Sequence, residues 1–212
     1  AGWMTNDYTW TGITQDRAGV RIDHMIEAIA VLRGLWGEEA FSFEGEHYTI
    51  TEMKGRPKPV QAGGPPIVVG GGSRRVLSTA ARLADIVGIN PNVGEGKFGA
   101  EAIASMSADA TDEKLGWVRA AAGDRFDDIE ISILKFFTVV TDDRDTVADK
   151  LGGSMGMDAA TLLASPHSLV GSAEQLVDEL VEQRERWQGS YVTVQADVFE
   201  AFAPVVAALA GT

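Results

Sequence analysis

Four short runs of apolar, largely β-branched residues set the strongest limit on how this chain folds. They are Ile67-Val68-Val69, Ile86-Val87-Gly88-Ile89, the stretch from Ile129 to Val140, and Tyr191-Val192-Thr193-Val194. Ile67-Val68-Val69 and Ile86-Val87-Gly88-Ile89 show no polar alternation and read as strands covered on both faces, and the other two runs read as further strands of the same series. Between them lie helical patterns. Arg74 to Ala84 places Val76, Leu77, Ala80 and Ala81 on one side. Ala100 to Ala122 is a second helical region, with a predicted break near Ala110-Thr111-Asp112, and Asp143 to Leu151 a third. Ser172 to Trp187 opens with an N-cap serine and carries Leu176, Val177, Leu180 and Val181 as its buried stripe. Phe199 to Leu209 closes the chain. Strands that alternate with helices specify an α/β fold with a parallel sheet.

The segment before the first strand is different. Gln15 to Trp36 is an amphipathic helix with Ile22, Met25, Ile26, Ile29 and Leu32 at spacings of three and four. Residues 37–66 form an excursion in which Phe41 to Ile50 suggests a hairpin and four prolines keep the rest extended. A closed (β/α)8 barrel takes eight strands and about 250 residues. Four strands in 212 residues therefore point to one domain, 1–212, that forms the later part of such a barrel, about four βα units.

Composition removes several function classes. A net charge of −13 gives no basic footprint for nucleic acid. The absence of cysteine excludes disulfides, thiolate metal sites and cysteine nucleophiles. No run approaches the roughly 18 to 20 apolar residues of a membrane span, and the expected location is the cytoplasm. The 24 glycines cluster at Gly70 to Gly72 and around Gly152 to Gly156, the second group reading as a flexible loop.

The candidate site residues follow from position. Gly70-Gly71-Gly72-Ser73-Arg74 lies between a buried strand and a helix start, where free N–H groups, the Ser73 hydroxyl and the guanidinium of Arg74 or Arg75 suit an anion. The same residues read equally well as a tight turn needing positive φ, with Ser73 an N-cap. Asn90 ends the next strand and offers both a donor and an acceptor; Asn-Pro is also a common turn. His24 and Glu27 read as solvent-facing, and no metal site is expected. His167 reads as an exposed loop histidine, with a role as acid or base the alternative. The paired carboxylates Asp127-Asp128 and Asp142-Asp143 read as helix-start and turn acids, or as ordinary solvated charge. Of five tryptophans only Trp3 falls at a strand end; the others read as packing residues. No catalytic residue is identified.

The order of the motifs resembles a known family. Ala1-Gly2-Trp3 with Asp7-Tyr8 and Gly12, the helix ending Leu35-Trp36, and Phe43-Glu44-Gly45-Glu46-His47-Tyr48 come first. Pro57-Lys58-Pro59, Pro65-Pro66-Ile67-Val68-Val69-Gly70-Gly71-Gly72, Ala80-Ala81-Arg82-Leu83-Ala84-Asp85 and Leu169-Val170-Gly171-Ser172 follow. This resembles the bacterial luciferase-like monooxygenase superfamily, and within it the branch using the deazaflavin coenzyme F420; that family commonly has Glu where Asp7 stands. The resemblance implies a TIM barrel lacking its N-terminal part here, with Ala1-Gly2-Trp3 ending the fourth strand. It implies site loops at Gly2-Trp3, Gly70 to Arg74, Asn90 to Asn92, Thr141-Asp142 and Gln195-Ala196. It further implies an oxidoreductase or monooxygenase that acts on a small organic substrate with F420, favoured over FMN, and it allows a homodimer. The alternatives are a non-catalytic flavin-binding remnant and another phosphate-binding barrel enzyme. A Schiff-base aldolase is disfavoured because Lys135 reads as lying inside its strand.

Overall fold

The computed structural model describes residues 2–93, 96 and 98–211. In chain order the elements are α1 (Thr5–Thr11), α2 (Ala18–Trp36), β1 (Phe41–Glu44), β2 (Thr49–Met53), β3 (Val68–Gly71), α3 (Arg74–Leu83) and β4 (Ile86–Ile89). They continue with α4 (Ala100–Ala104), α5 (Ala108–Ala122), β5 (Glu130–Leu134), β6 (Phe137–Val140), α6 (Arg144–Met155), α7 (Ala159–Leu163) and β7 (Ser168–Gly171). The last are α8 (Ala173–Trp187), β8 (Gly189–Thr193) and α9 (Phe199–Leu209).

The four apolar runs form one parallel sheet in the order β3-β4-β5-β8. One face is closed by helices. Val69, Val87, Ile89, Ile131 and Ile133 pack against Leu77, Ala80 and Ala81 of α3 and Leu115 and Val118 of α5. Side chains two apart along a strand share a face, so Val68, Gly70, Gly88, Ser132 and Leu134 lie on the other one. That face is more open, with Val68 53% and Tyr191 45% exposed. Two smaller cores lie beyond β5, one between β7, α8 and α9 and one between β7, α6 and α7.

Several boundaries differ from expectation, each for a physical reason. The predicted strand Ile129 to Val140 is broken at Lys135-Phe136. Lys135 still donates its N–H to Thr193 of the central sheet, at 2.9 Å, but Phe136 and Phe137 turn to the His167 carbonyl at 2.8 and 3.3 Å. The continuation, β6, pairs with β7 instead. The predicted flexible loop around Gly152 is mostly helix, because α6 runs through Gly152 and Gly153. A Cβ on Gly152 would stand 2.8 Å from the Met157 carbonyl, so glycine is there for the close approach of the chain leaving the helix. The break in the second helical region falls at Ser105 to Ser107, where the Ser107 hydroxyl accepts the Ala110 N–H at 3.2 Å and starts α5.

The excursion forms the hairpin β1-β2, with Phe43 opposite Ile50. Its turn is pinned to α2 by one carboxylate. Glu27 accepts the N–H groups of Glu46, His47 and Tyr48 at 2.8, 2.9 and 2.9 Å. Burial works against that charge, but the three N–H donors hold the carboxyl below its ordinary range. The imidazoles of His24 and His47 stack at 3.9 Å. His24 and Glu27 are therefore half-buried and engaged, contrary to the solvent-facing reading.

Candidate functional site

A cavity of about 390 Å³ opens at the C-terminal ends of β3, β4 and β5. Its wall includes Gly70 to Ser73 from the β3–α3 turn and Asn90 to Val93 after β4. Leu134 and Phe136 from the β5 end, Phe98, Gly2 and Trp3, and Ala18, Arg21 and Ile22 of α2 complete it with Val76. Such volume and largely apolar lining, with few polar groups, suit an organic ligand.

The glycines are needed for space. None of Gly70, Gly71 and Gly72 has a positive φ, so the strained-turn reading does not hold. A Cβ on Gly70 would lie 2.7 Å from the Asn90 Nδ2, one on Gly71 2.4 Å from Val76, and one on Gly72 2.3 Å from the Pro91 carbonyl oxygen. Side chains there would collide with the chain packed alongside, that is, with Val76 of α3 and the segment after β4. Ser73 is the N-cap of α3, its hydroxyl accepting the Val76 N–H at a long 3.5 Å, and it lines the cavity as well.

Five of the six sequence-derived site residues thus meet at one place: Gly70, Gly71, Gly72, Ser73 and Asn90. Arg74 does not line the cavity; it is exposed at the start of α3. Arg75 is also turned away and pairs with Asp23 at 2.6 Å. Trp3 reaches the cavity, while Ala1 lies outside the described residues. Trp187 is buried and Trp117 packs on the core, but Trp10 is 75% exposed, against the packing reading. Thr141-Asp142 and Gln195-Ala196 are not part of the wall, because the sheet strand ends at Leu134 and the chain beyond leaves with β6. Asp143 caps α6, as its sequence position suggests.

Arg21 was not legible in advance. Among the described residues lining the cavity it is the one charged side chain. Its Nε donates to the Gly2 carbonyl at 3.1 Å, its guanidinium also donates to the Asp16 carbonyl, and it lies 5.8 Å over the Tyr8 ring. The aromatic wall was missed too: Phe98 and Phe136 meet at 5.5 Å. The only sequence hint for Arg21 was its place in the turn that includes Ala18 and Ile22.

His167 is fully buried, not exposed. Its Nδ1 is 2.9 Å from the Leu134 carbonyl and its ring meets the edge of Phe136, behind the cavity wall. Burial pulls its pKa down to about 4, assisted by the nearby Lys114 and Lys135, so the ring is neutral at pH 7. Lys135 sits just past the end of β5 instead of inside a strand, yet it is 1% exposed and turned from the cavity toward the Pro166 carbonyl, 2.6 Å away, and the Gln183 amide oxygen. No group of three metal-ligating side chains occurs among the described residues. Among these residues no helix is long and apolar enough to cross a membrane.

An FMNH2-dependent dimethylsulfone monooxygenase of Pseudomonas putida is 32% identical over 96 residues, which is 45% of this chain and 26% of that protein. The coenzyme F420-dependent tetrahydromethanopterin reductase of Methanopyrus kandleri superposes with a TM-score of 0.62 at 14% identity, covering 87% of this chain and 61% of the other. A long-chain alkane monooxygenase gives 0.65 at 15% identity, covering 95% and 59%. The chain spans about a quarter of the curated relative and about three-fifths of each of these structures. Likeness at such identity speaks for the fold, which is that of the luciferase-like TIM barrels. The family model described as luciferase-like monooxygenase matches residues 1–212, the whole length, and the chain belongs to that family.

Proposed function

We propose that this chain supplies the ring-binding wall of a flavin- or deazaflavin-dependent oxidoreductase acting on a small organic substrate. The carrying observation is the glycine-floored cavity at the strand ends, faced by Phe98 and Phe136 and holding one charged side chain, Arg21. The domain reading follows: 1–212 as the later part of the barrel, with 37–66 an excursion from it.

The residues present fit such a group. Gly70 to Gly72 let the β3–α3 turn lie close against Asn90, Val76 and Pro91 in the cavity wall, and the Asn90 amide can donate and accept at a pyrimidine edge. Ser73, the N–H groups opening α3 and Arg21 suit the phosphate of the tail. When bound, the ring supplies the redox chemistry, by hydride transfer or by activation of oxygen. The chain binds and orients it, and Ile22, Val76, Leu134 and the two phenylalanines keep water away. No acid or base is assigned, since His167 is sealed behind the wall.

The similar proteins include both FMNH2- and F420-dependent enzymes, which supports the general cofactor type without favouring F420, in contrast to the expectation from sequence. Titration with FMN and with F420, followed by fluorescence quenching, tests the reading. Saturable quenching by either, lost in Gly72→Val, supports it. Saturable quenching by neither overturns it.

A further inference from the structure

Lys114 of α5 is 2% exposed, and its ammonium donates to the main-chain carbonyls of Asn90 at 2.9 Å and Ser105 at 2.6 Å. Neither partner is a carboxylate. Burying a cation against neutral partners is costly, and an apolar side chain of the same length would fill the space more cheaply. The arrangement therefore points to what the lysine holds in place.

What it holds is one wall of the cavity. Asn90 ends β4, and its side-chain amide lies across Gly70. The Pro91 carbonyl faces Gly72. Asn92 donates its N–H to the Ser105 hydroxyl at 2.7 Å and its side-chain amide to Glu101 at 2.6 Å, while the Ser105 hydroxyl donates to the Ala102 carbonyl at 2.8 Å. Lys114 thus ties the start of the loop to the α4–α5 junction, and Ser105 ties the same junction to the loop two residues later.

We propose that Lys114 is a positioning residue that clamps Asn90-Pro91-Asn92 against the cavity, so that the Asn90 amide is set in advance to meet the hydrogen-bonding edge of a heteroaromatic ring. The inference rests on the function proposed above. Setting the amide before binding removes an ordering cost from the ligand. The charge matters because an ammonium makes stronger bonds to carbonyls than a neutral amine does. Burial pulls its pKa down to about 8, with Glu113 on the same helix opposing. The ionisable groups around the clamp include Glu101 of α4, bonded to Asn92, His167 from the loop entering β7, and Lys135 behind it. The clamp accordingly weakens as pH rises through about 8.

The test compares the wild type with Lys114→Met and Lys114→Arg. Without ligand, hydrogen exchange in residues 90–93 should accelerate at least about tenfold in Lys114→Met, with β3 and α3 unchanged, and Lys114→Arg should restore much of the protection. With FMN and F420 as probes, wild-type affinity should fall several-fold between about pH 7 and 9.5, whereas Lys114→Met should be weak and flat across that range. Should Lys114→Met not fold, Ser105→Ala reads the second tie, with faster exchange expected at Asn92 alone. Unchanged exchange at 90–93, or faster exchange everywhere alike, overturns the clamp, as does weakened binding that Arg fails to rescue. A local exchange response with binding of neither cofactor upholds the clamp and sinks the functional reading.

Discussion

Two lysines are buried to nearly the same depth in this molecule, and both donate to main-chain carbonyls, Lys135 to that of Pro166 at 2.6 Å, but Lys135 also reaches side chains. Lys114 meets only main-chain carbonyls, at the wall of the cavity. Lys135 sits where β5 gives way to β6 and enters a side-chain network: Gln183 accepts from it and donates to Glu179 at 3.2 Å, and Arg144 donates to the other Glu179 oxygen at 3.3 Å. Burial pulls both ammonium groups down, Lys114 to about 8 and Lys135 to about 7. The contrast separates two tasks. A cation on backbone carbonyls alone fixes the course of a loop, whereas a cation linked to ionisable side chains joins elements together, here the β5–β6 kink with α8 and, through Arg144, α6.

The hardest test of that division is Lys135→Ala. It leaves a void and strands the Gln183–Glu179 pair, and the expected loss is about 3 kcal/mol in urea denaturation, with ring affinity of the folded protein unchanged. A drop in affinity like that of Lys114→Met would erase the distinction. On the cavity side, Gly72→Val forces a side chain against the main chain of Pro91 and Asn92, which has to shift, so flavin affinity should fall by more than about tenfold and the thermal midpoint should fall with it. Arg21→Met should lower the affinity for FMN relative to riboflavin by about tenfold, the worth of one charge-assisted contact. An equal loss for both ligands would assign Arg21 to packing.

The Lys135 network has its own signature in pH. Burial pushes the Glu179 carboxyl from 4.5 up to about 7, against the pull of Arg144 and Lys135. A raised carboxyl favours the folded state while protonated, so its contribution is complete below about 4.5 and is lost as pH rises through about 7. Glu179→Gln should remove that decline from the stability profile, and the difference between the two profiles isolates it from the opposite slope of His167. The smallest effect belongs to Ser73→Ala. Its capping bond is long, at 3.5 Å, and about 0.5 kcal/mol is expected from denaturation midpoints.

The four strands of the central sheet were legible because each carries a run of β-branched apolar residues bounded by turns or helices, whereas β7, Ser168–Gly171, is buried throughout and reads in the sequence only as the opening of the next helix. The break at Lys135 was not legible, since its causes lie at Pro166, His167 and Gln183, far along the sequence. Gly70 to Gly72 and Asn90 were found from their place at strand ends. Gly152 misled because glycine serves a close approach of the chain to a helix as readily as a loose loop, and composition does not separate the two. Arg21, Phe98 and Phe136 enter the site only through the packing of α2 and the kink after β5. The turn that brings Phe136 to the cavity is the one that defeats the prediction of a continuous strand.

The attachment of the hairpin through Glu27 bears on engineering. Three successive N–H groups meet one carboxylate, and the turn is read through its main chain. Residues 46 to 48 are consequently interchangeable in side chain so far as that anchor is concerned, while Glu27 is not. A library that varies the β1-β2 hairpin while keeping Glu27, Gly45 and the turn length, and excluding proline at 46 to 48, would probe new surface chemistry a short distance along α2 from Arg21.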